Sequence, residues 1–411
     1  MTLTQQNGQG FLSRLRSLGL AGLALFGLAG TAMGQDTIKI GAAVSLTGNL
    51  AREGVLLRDG YAFWQDALNA AGGLKVGDKT YKVEVVYYDD ESRPQTSAQL
   101  TEKLISQDKV NFIFGPYSSG IALATASISE RYKVVTIAPM ATADNLFARG
   151  FKYLFTNSPL SGMTAIPLID VLDTVSPKPQ TVAIVGMDDL FPNIFVEALK
   201  KRAEDKGFKV VYVGKYPKGA ADLSAVVTAL KAANPDVVMT SGFVQDSILL
   251  IRQMHELRFE PKLVGSAFVL NVPEVRSVLG PQAEGLVGVL YWDPSMTFTG
   301  PLVSSSADYA KAFREKFGRD PNHTSASATA AGIVLQQAVQ NAGSLDNEAV
   351  RDALRNLKME TFFGPVQFDQ RGANVLGPSL VIQVKNGTPV IVYPKGAAAT
   401  ADITYPRAAA R

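Results

Sequence analysis

The chain has 411 residues, 46% of them hydrophobic and 19% charged, which is enough apolar material for two sizeable cores. It contains no cysteine and only two histidines, His255 and His323, so disulfides, thiolate metal sites and thiol catalysis are excluded and a histidine-based zinc site lacks ligands. With 40 basic against 37 acidic residues and no basic tract, the charge gives no argument for nucleic acid.

The chain opens with Arg14 and Arg16 ahead of an apolar run from Leu18 to Met33, with no acidic residue before Asp36 and small residues at Ala32 and Gly34. This is the pattern of a secretory signal peptide, residues 1–34, cleaved near Gly34. The run is short for a transmembrane helix and no cysteine follows it, so a soluble exported protein is expected rather than a lipoprotein. Losing Arg14 and Arg16 leaves 38 basic residues against 37 acidic ones.

Strand and helix patterns then alternate with short links. Val- and Ile-rich runs at 37–46, 81–90, 110–115 and 133–139 predict strands, and the stretches 54–73 and 95–109 predict helices between them. A second series follows: strands at 181–187, 208–217, 236–243 and 262–268, with helices at 193–206, 222–233 and 245–258. This alternation describes right-handed βαβ units around a buried parallel sheet, built twice without a visible sequence repeat. After a strand at 284–294 the rhythm breaks into helices near 302–318, 323–342 and 346–357, then a hairpin turning at Asn386-Gly387. The fold class is therefore α/β, two doubly wound parallel-sheet lobes joined by a hinge of several crossings. The expected division is lobe 1 over 35–155, lobe 2 over 156–285, a return to lobe 1 over 286–360, and a return to lobe 2 with a tail over 361–411.

Two successive strand-to-helix turns carry the candidate chemistry. In "FIFGPYSSG" the strand stops at Gly115-Pro116 and exposes Ser118 and Ser119 before a helix; in "APMATADNL" Pro139 ends a strand and Met140, Ala141 and Thr142 lead toward the next helix. Ligands of open α/β sheets bind beyond the carboxyl ends of the strands, and a helix N-terminus with hydroxyls suits an anion. The plain alternative is that these residues only cap helices. Asp89-Asp90-Glu91 could suggest a metal, but one acidic cluster without a distant partner more simply caps a helix, and no metal or cofactor is expected.

Taken in order, "IKIGAAVSLTGNLAREG", "YKVEVVYYDDESRPQTS", "FIFGPYSSG", "APMATADNL", "TVAIVGMDDLF" and "FFGPVQFDQRG" resemble the periplasmic Leu/Ile/Val-binding protein family, solute-binding components of ABC importers, over about residues 37–393. The resemblance implies a type I periplasmic binding fold whose lobes close on a small carboxylate solute, a monomer that meets the membrane permease of an ABC importer. By position, Ser119 and Thr142 would hold the carboxylate, with Ser118, Ala141 and the main chain at Met140 nearby. The family's ammonium acceptor falls at Ala267, and aromatic positions of the pocket fall at Phe191, Phe243 and Ala330. Either another acid substitutes, with Glu53, Asp144, Asp188 or Asp189 as candidates, or the solute has no ammonium group. An unpaired buried ammonium is costly. The branched-chain or other hydrophobic amino acids, and related aromatic or keto acids, are the candidate ligands.

Two other classes compete: a secreted α/β hydrolase using Ser118 or Ser119, and a ligand sensor of the same fold. Neither serine occupies a G-x-S-x-G elbow and the chain is nearly without histidine, so no enzyme is expected. If the leader reading is right, N-terminal sequencing of the exported protein will start at or near Gln35; a stable exported form retaining Met1 would refute it.

Overall fold

The computed structural model describes residues 36–395 and 401–407, so the expected signal segment lies outside the described residues. The chain begins with β1 (Thr37–Val44), α1 (Ala51–Ala70), the hairpin of β2 (Leu74–Val76) and β3 (Lys79–Asp89), and α2 (Pro94–Ser106). It continues through β4 (Phe112–Phe114), α3 (Ser119–Tyr132), β5 (Thr136–Ile137), α4 (Asp144–Phe147) and β6 (Leu154–Pro159). A second series follows: α5 (Ser161–Asp170), β7 (Thr181–Met187), α6 (Leu190–Asp205), β8 (Lys209–Tyr216), α7 (Ser224–Ala233) and β9 (Val237–Ser241). It ends with α8 (Val244–Glu256), β10 (Leu263–Ser266), α9 (Pro273–Leu279) and β11 (Val287–Leu290). The last part comprises α10 (Ser306–Phe317), α11 (His323–Ala342), α12 (Asn347–Arg355), a small hairpin of β12 (Lys358–Thr361) and β13 (Gly364–Gln367), β14 (Ala373–Asn374), and a hairpin of β15 (Leu380–Lys385) and β16 (Thr388–Tyr393).

Two seven-stranded sheets result, in the orders β14-β6-β5-β4-β1-β3-β2 and β16-β15-β11-β10-β9-β7-β8. Pairings among β1, β3, β4, β5 and β6, and among β7 to β11, are parallel; β2, β15 and β16 join antiparallel. In each sheet the first strand of the series, β1 or β7, sits between the strands that follow it. That arrangement makes a topological switch point at the carboxyl ends of β1 and β4 in one lobe and of β7 and β9 in the other. The central strands β4, β7 and β9 are buried on both faces, which explains their continuous apolar runs.

The expected division points need moving. Position 155 falls inside β6, which belongs to the first sheet; β11 lies beyond 285 yet belongs to the second; and β14, within 361–411, extends the first sheet at its edge. The chain therefore passes between sheets after Pro159, after Leu290 and again between Asn374 and Leu380. Helices α10 and α11 pack on α1 of the first lobe, and the Asn386-Gly387 hairpin lies in the second sheet.

The α1/α11 contact fixes the carboxyl end of β4. Tyr61 on α1 stacks on Phe114 with ring centroids 4.4 Å apart, and its hydroxyl donates to the Gly115 carbonyl at 2.8 Å. The two helices approach closely at Gly60, where an added Cβ would lie 2.3 Å from the Ser325 carbonyl oxygen and 2.6 Å from the Ala328 Cβ. Gly60→Ala should force the helices apart and cost about 1–3 kcal/mol, read as a fall in melting temperature; an unchanged melting temperature would show that this contact does not hold β4.

Candidate functional site

A narrow cleft lies where the two switch points face each other, its rings and turns packed closely enough to leave only ≈ 10 Å³ of enclosed room. Tyr117, Ser118, Ser119, Met140 and Thr142 line it from the first lobe; Phe191, Gly242, Phe243, Phe268 and Tyr291 line it from the second. A larger space of ≈ 740 Å³ adjoins it behind Phe243, between Leu50 and Met187, with Lys218 and Asp246 at its wall. That space holds none of the turn hydroxyls, so the smaller cleft is the candidate site.

The hydroxyl end is built by two turns tied to each other. Ser118 is the N-cap of α3, its Oγ accepting from the Gly120 N–H at 3.2 Å, while the Ser119 Oγ accepts from the Ala143 N–H at 3.2 Å. Each oxygen thus accepts from the backbone, which leaves its own hydrogen for an anion. Below them, the Ser327 hydroxyl donates to the Pro139 carbonyl at 3.3 Å and meets the Ser158 hydroxyl at 2.9 Å, holding the turn that carries Met140, Ala141 and Thr142. The Tyr291 hydroxyl, from the end of β11, reaches Thr142 Oγ1 at 3.4 Å and the Pro159 carbonyl at 3.3 Å. Burial raises the Tyr291 hydroxyl above its ordinary range, so it stays a neutral donor.

The opposite end is aromatic. Phe268 packs on Tyr291 with centroids 4.4 Å apart and on Phe191 at 5.9 Å, and Tyr117 meets Phe243 edge to face at 5.8 Å. The loops from the two lobes touch here: an added Cβ on Gly120 would lie 2.8 Å from Asp189 Oδ1.

Each expected residue can now be placed. Ser118, Ser119, Met140, Thr142, Phe191 and Phe243 line the cleft; Ala141 is buried between two of them. Asp188 does not: its side chain is 62% exposed, with Asn193 donating to it at 2.9 Å. Asp189 instead caps α6, accepting from the Leu190 N–H at 2.6 Å, and pairs with Lys218 at 2.9 Å. Asp144 accepts from the Ser161 hydroxyl and the Gly162 N–H, which spends it on the start of α5. Ala267 and Ala330 are buried outside the lining. At the end of β10 the ring that enters the cleft belongs to Phe268, one residue on. Asp89 and Asp90 accept hydrogen bonds from Leu46, Thr47, Ser45 and Ser92 and so shape the β1–α1 loop.

Glu53, in the first turn of α1, is 5% exposed. Burial raises its pKa, partly offset by backbone N–H groups including that of Val244 across the lobe boundary, while Asp246 beside it raises it further. Asp246 is itself raised by burial, and it accepts from the Phe243 N–H at 2.9 Å and from the Tyr216 hydroxyl. Glu53 also lies close enough to Tyr117 to raise that phenol's pKa, after burial.

Gly242, Phe268 and Tyr291 have no counterpart among the residues that the sequence suggests, while Tyr117 belongs to the suggested serine turn without a role of its own. Tyr117 stands inside the serine turn itself, and Tyr291 closes the strand predicted at 284–294, so strand ends were the signal available.

The model of a family described as periplasmic binding protein matches residues 37–389. The chain belongs to the periplasmic binding protein family, in its Leu/Ile/Val-binding group. It is 30% identical over 362 residues to a leucine-, isoleucine-, valine-, threonine- and alanine-binding protein of Pseudomonas aeruginosa, covering 88% of this chain and 92% of that one. A leucine-binding protein from Thermotoga maritima superposes with a TM-score of 0.76 at 22% identity, covering 86% of this chain and 97% of that one. An ABC transporter solute-binding protein from R. palustris in complex with benzoate gives 0.75 at 20% identity, covering 89% and 98%. Such family members are substrate-binding proteins of ABC transporters, and among the described residues no helix is long and apolar enough to cross a membrane.

The buried Glu53 gives a stability test. A carboxyl whose folded pKa is raised contributes most below its unfolded pKa near 4.5 and loses that contribution as pH rises through the folded value. Glu53→Gln cannot ionise, so its melting temperature relative to wild type should rise between pH 4.5 and 7; a difference independent of pH would place Glu53 in a solvated setting.

Proposed function

We propose that this protein closes its two lobes, outside the inner membrane, on a small organic carboxylate with an apolar or aromatic body and delivers it as a monomer to an ABC permease. The observation that carries this reading is the division of the cleft. Hydroxyls and the N-terminus of α3 stand on the first lobe, facing three phenylalanines and Tyr291 on the second. The hydroxyls and helix end suit a carboxylate, and the rings suit its body. The relatives named above support the class, since one is a leucine-, isoleucine-, valine-, threonine- and alanine-binding protein and another holds benzoate.

Hydrolysis by either serine lacks a base: the hydrogen-bond partners of Ser118 and Ser119 are backbone N–H groups. His255 lies elsewhere, on α8 beside Glu260. A sensor of the same fold would have the same cleft, and ligand uptake by cells with and without this protein separates the two.

Ser119→Ala and Thr142→Ala should each weaken binding of the best ligand by about 1–3 kcal/mol in calorimetry, the cost of a charge-assisted hydrogen bond. Benzoate, phenylpropanoate and leucine are the starting ligands. At 100 times its Kd a ligand adds about 2.7 kcal/mol of stability, visible as a thermal shift. Unchanged affinity in both variants would reduce the turns to helix caps.

A further inference from the structure

The cleft itself has too little room for a solute's body, and the room lies next to it. On the measure that leaves the cleft ≈ 10 Å³, the space behind Phe243 has ≈ 270 Å³. One water needs roughly 10–15 Å³ on that measure, so the cleft holds a single small group. The larger space has a floor of Leu50, Met187 and Phe243, all buried, with Ala220 and Leu249 as half-buried apolar walls. Leu50 belongs to the first lobe and the other four to the second. At its mouth Asn49 of the first lobe faces the Gly219 turn of the second, where an added Cβ would lie 3.7 Å from Asn49 Nδ2. Both lobes therefore bound this space, as they bound the cleft.

The partition between the two spaces is made of side chains from opposite lobes. Phe243 lines both spaces and meets Tyr117 of the serine turn edge to face at 5.8 Å. Moving the lobes apart separates these rings and joins the spaces, and a solute lying across them at closure keeps them joined. The charge of the wall is also set. The Asp246 carboxyl stands where a Cβ on Gly242 would be, and it accepts from the Phe243 N–H at 2.9 Å. Lys218, in the same wall, is already paired with Asp189 at 2.9 Å.

We infer that the larger space takes the body of the solute, which makes the solute class extended monocarboxylates. The carboxylate stands at the serine and Thr142 turns, and an aryl or alkyl chain passes between Tyr117 and Phe243 to lie on Leu50 and Met187. The apolar floor removes that chain from water, while the polar mouth leaves its far end wet. A second carboxylate there would face Asp246 with the lysine already engaged. An acid the size of benzoate reaches the turns and ends at the rings, whereas each further methylene is buried on the floor. The inference rests on the carboxylate reading of the cleft.

The test measures Kd by calorimetry on the mature protein for benzoate, 3-phenylpropanoate and 5-phenylpentanoate, and for butanoate, hexanoate and octanoate. Affinity should rise by about three- to fourfold per methylene until the space is filled, and octanedioate should bind more weakly than octanoate. Ala220→Phe fills the space from the turn of the second lobe, so in this variant the preference for 5-phenylpentanoate over benzoate should fall toward one. Leu249→Trp fills it from α8 and takes the place of Ala220→Phe if the melting curve shows that variant unfolded; if neither folds, the wild-type series decides. Affinity that is flat or falls beyond 3-phenylpropanoate overturns the inference, while binding of benzoate in that case leaves the carboxylate reading standing. A preference for the long acids that survives in a folded, filled variant overturns it as well, as does octanedioate bound as tightly as octanoate. If no acid of either series binds, the carboxylate reading itself has failed, and the inference with it.

Discussion

The close approach of two turns, at Gly115 and Ala138, is the constraint on which the site depends. An added Cβ on Gly115 would lie 2.5 Å from the Ala138 Cβ, so β4 and β5 can end side by side only with glycine there. That closeness lets the Ser119 hydroxyl accept from the Ala143 N–H and so locks the start of α3 against the loop of Thr142. Tyr61, anchored between α1 and β4, holds the Gly115 carbonyl from below. The hydroxyls are therefore preorganised by the core, and they need no ligand to bring them together.

Much of this arrangement was legible because turn chemistry and long helices give strong signals. Strand β7 and helix α11 match their predicted limits, and Asn386-Gly387 marks the hairpin. Strand β6 and helix α5 were not legible. They follow each other with one residue between, and β6 is buried on both faces, so neither the twofold nor the 3.6-residue period has room to show. Strands β2 and β14 are three and two residues long and exist only through their pairing. The site misses are of another kind: at a strand end, a shift of one residue exchanges the face presented. Ala267 and Asp188 are each one position from the residue that reaches the lobe boundary, Phe268 and Asp189. A positive φ at a phenylalanine is set by tertiary packing, and its type gives no warning of it.

The interior around the cleft is short of cations. Arg52 pairs with Glu274 at the rim and Lys218 pairs with Asp189, which leaves Glu53 and Asp246 to share backbone and phenol donors. Burial raises both carboxyls, and Asp246 raises Glu53 further while Arg52 offsets part of that rise. The region thus favours neutral groups, as His323 does on the other side of the cleft. Among the residues lining the cleft, the α3 terminus with its hydroxyls is the place that favours an anion, which on the proposed reading gives a ligand's negative charge a defined end.

Closure follows from how these groups are shared out. The ion pair across the rim, Arg52 with Glu274, has its side chains 30% and 63% exposed, and such a pair contributes at most about 1 kcal/mol. It cannot by itself hold the lobes together. The hydrogen-bonding groups stand on the first lobe and most of the apolar surface on the second. A ligand that fills only one set gains little more in the closed form than in the open one, and a ligand can shift an equilibrium only by its differential affinity for the two states. A molecule with a carboxylate at one end and a ring or branched chain at the other touches both lobes at once, so its binding energy becomes closure energy. On the proposed reading, the split between hydroxyls and rings, more than any single residue, would make closure depend on occupancy.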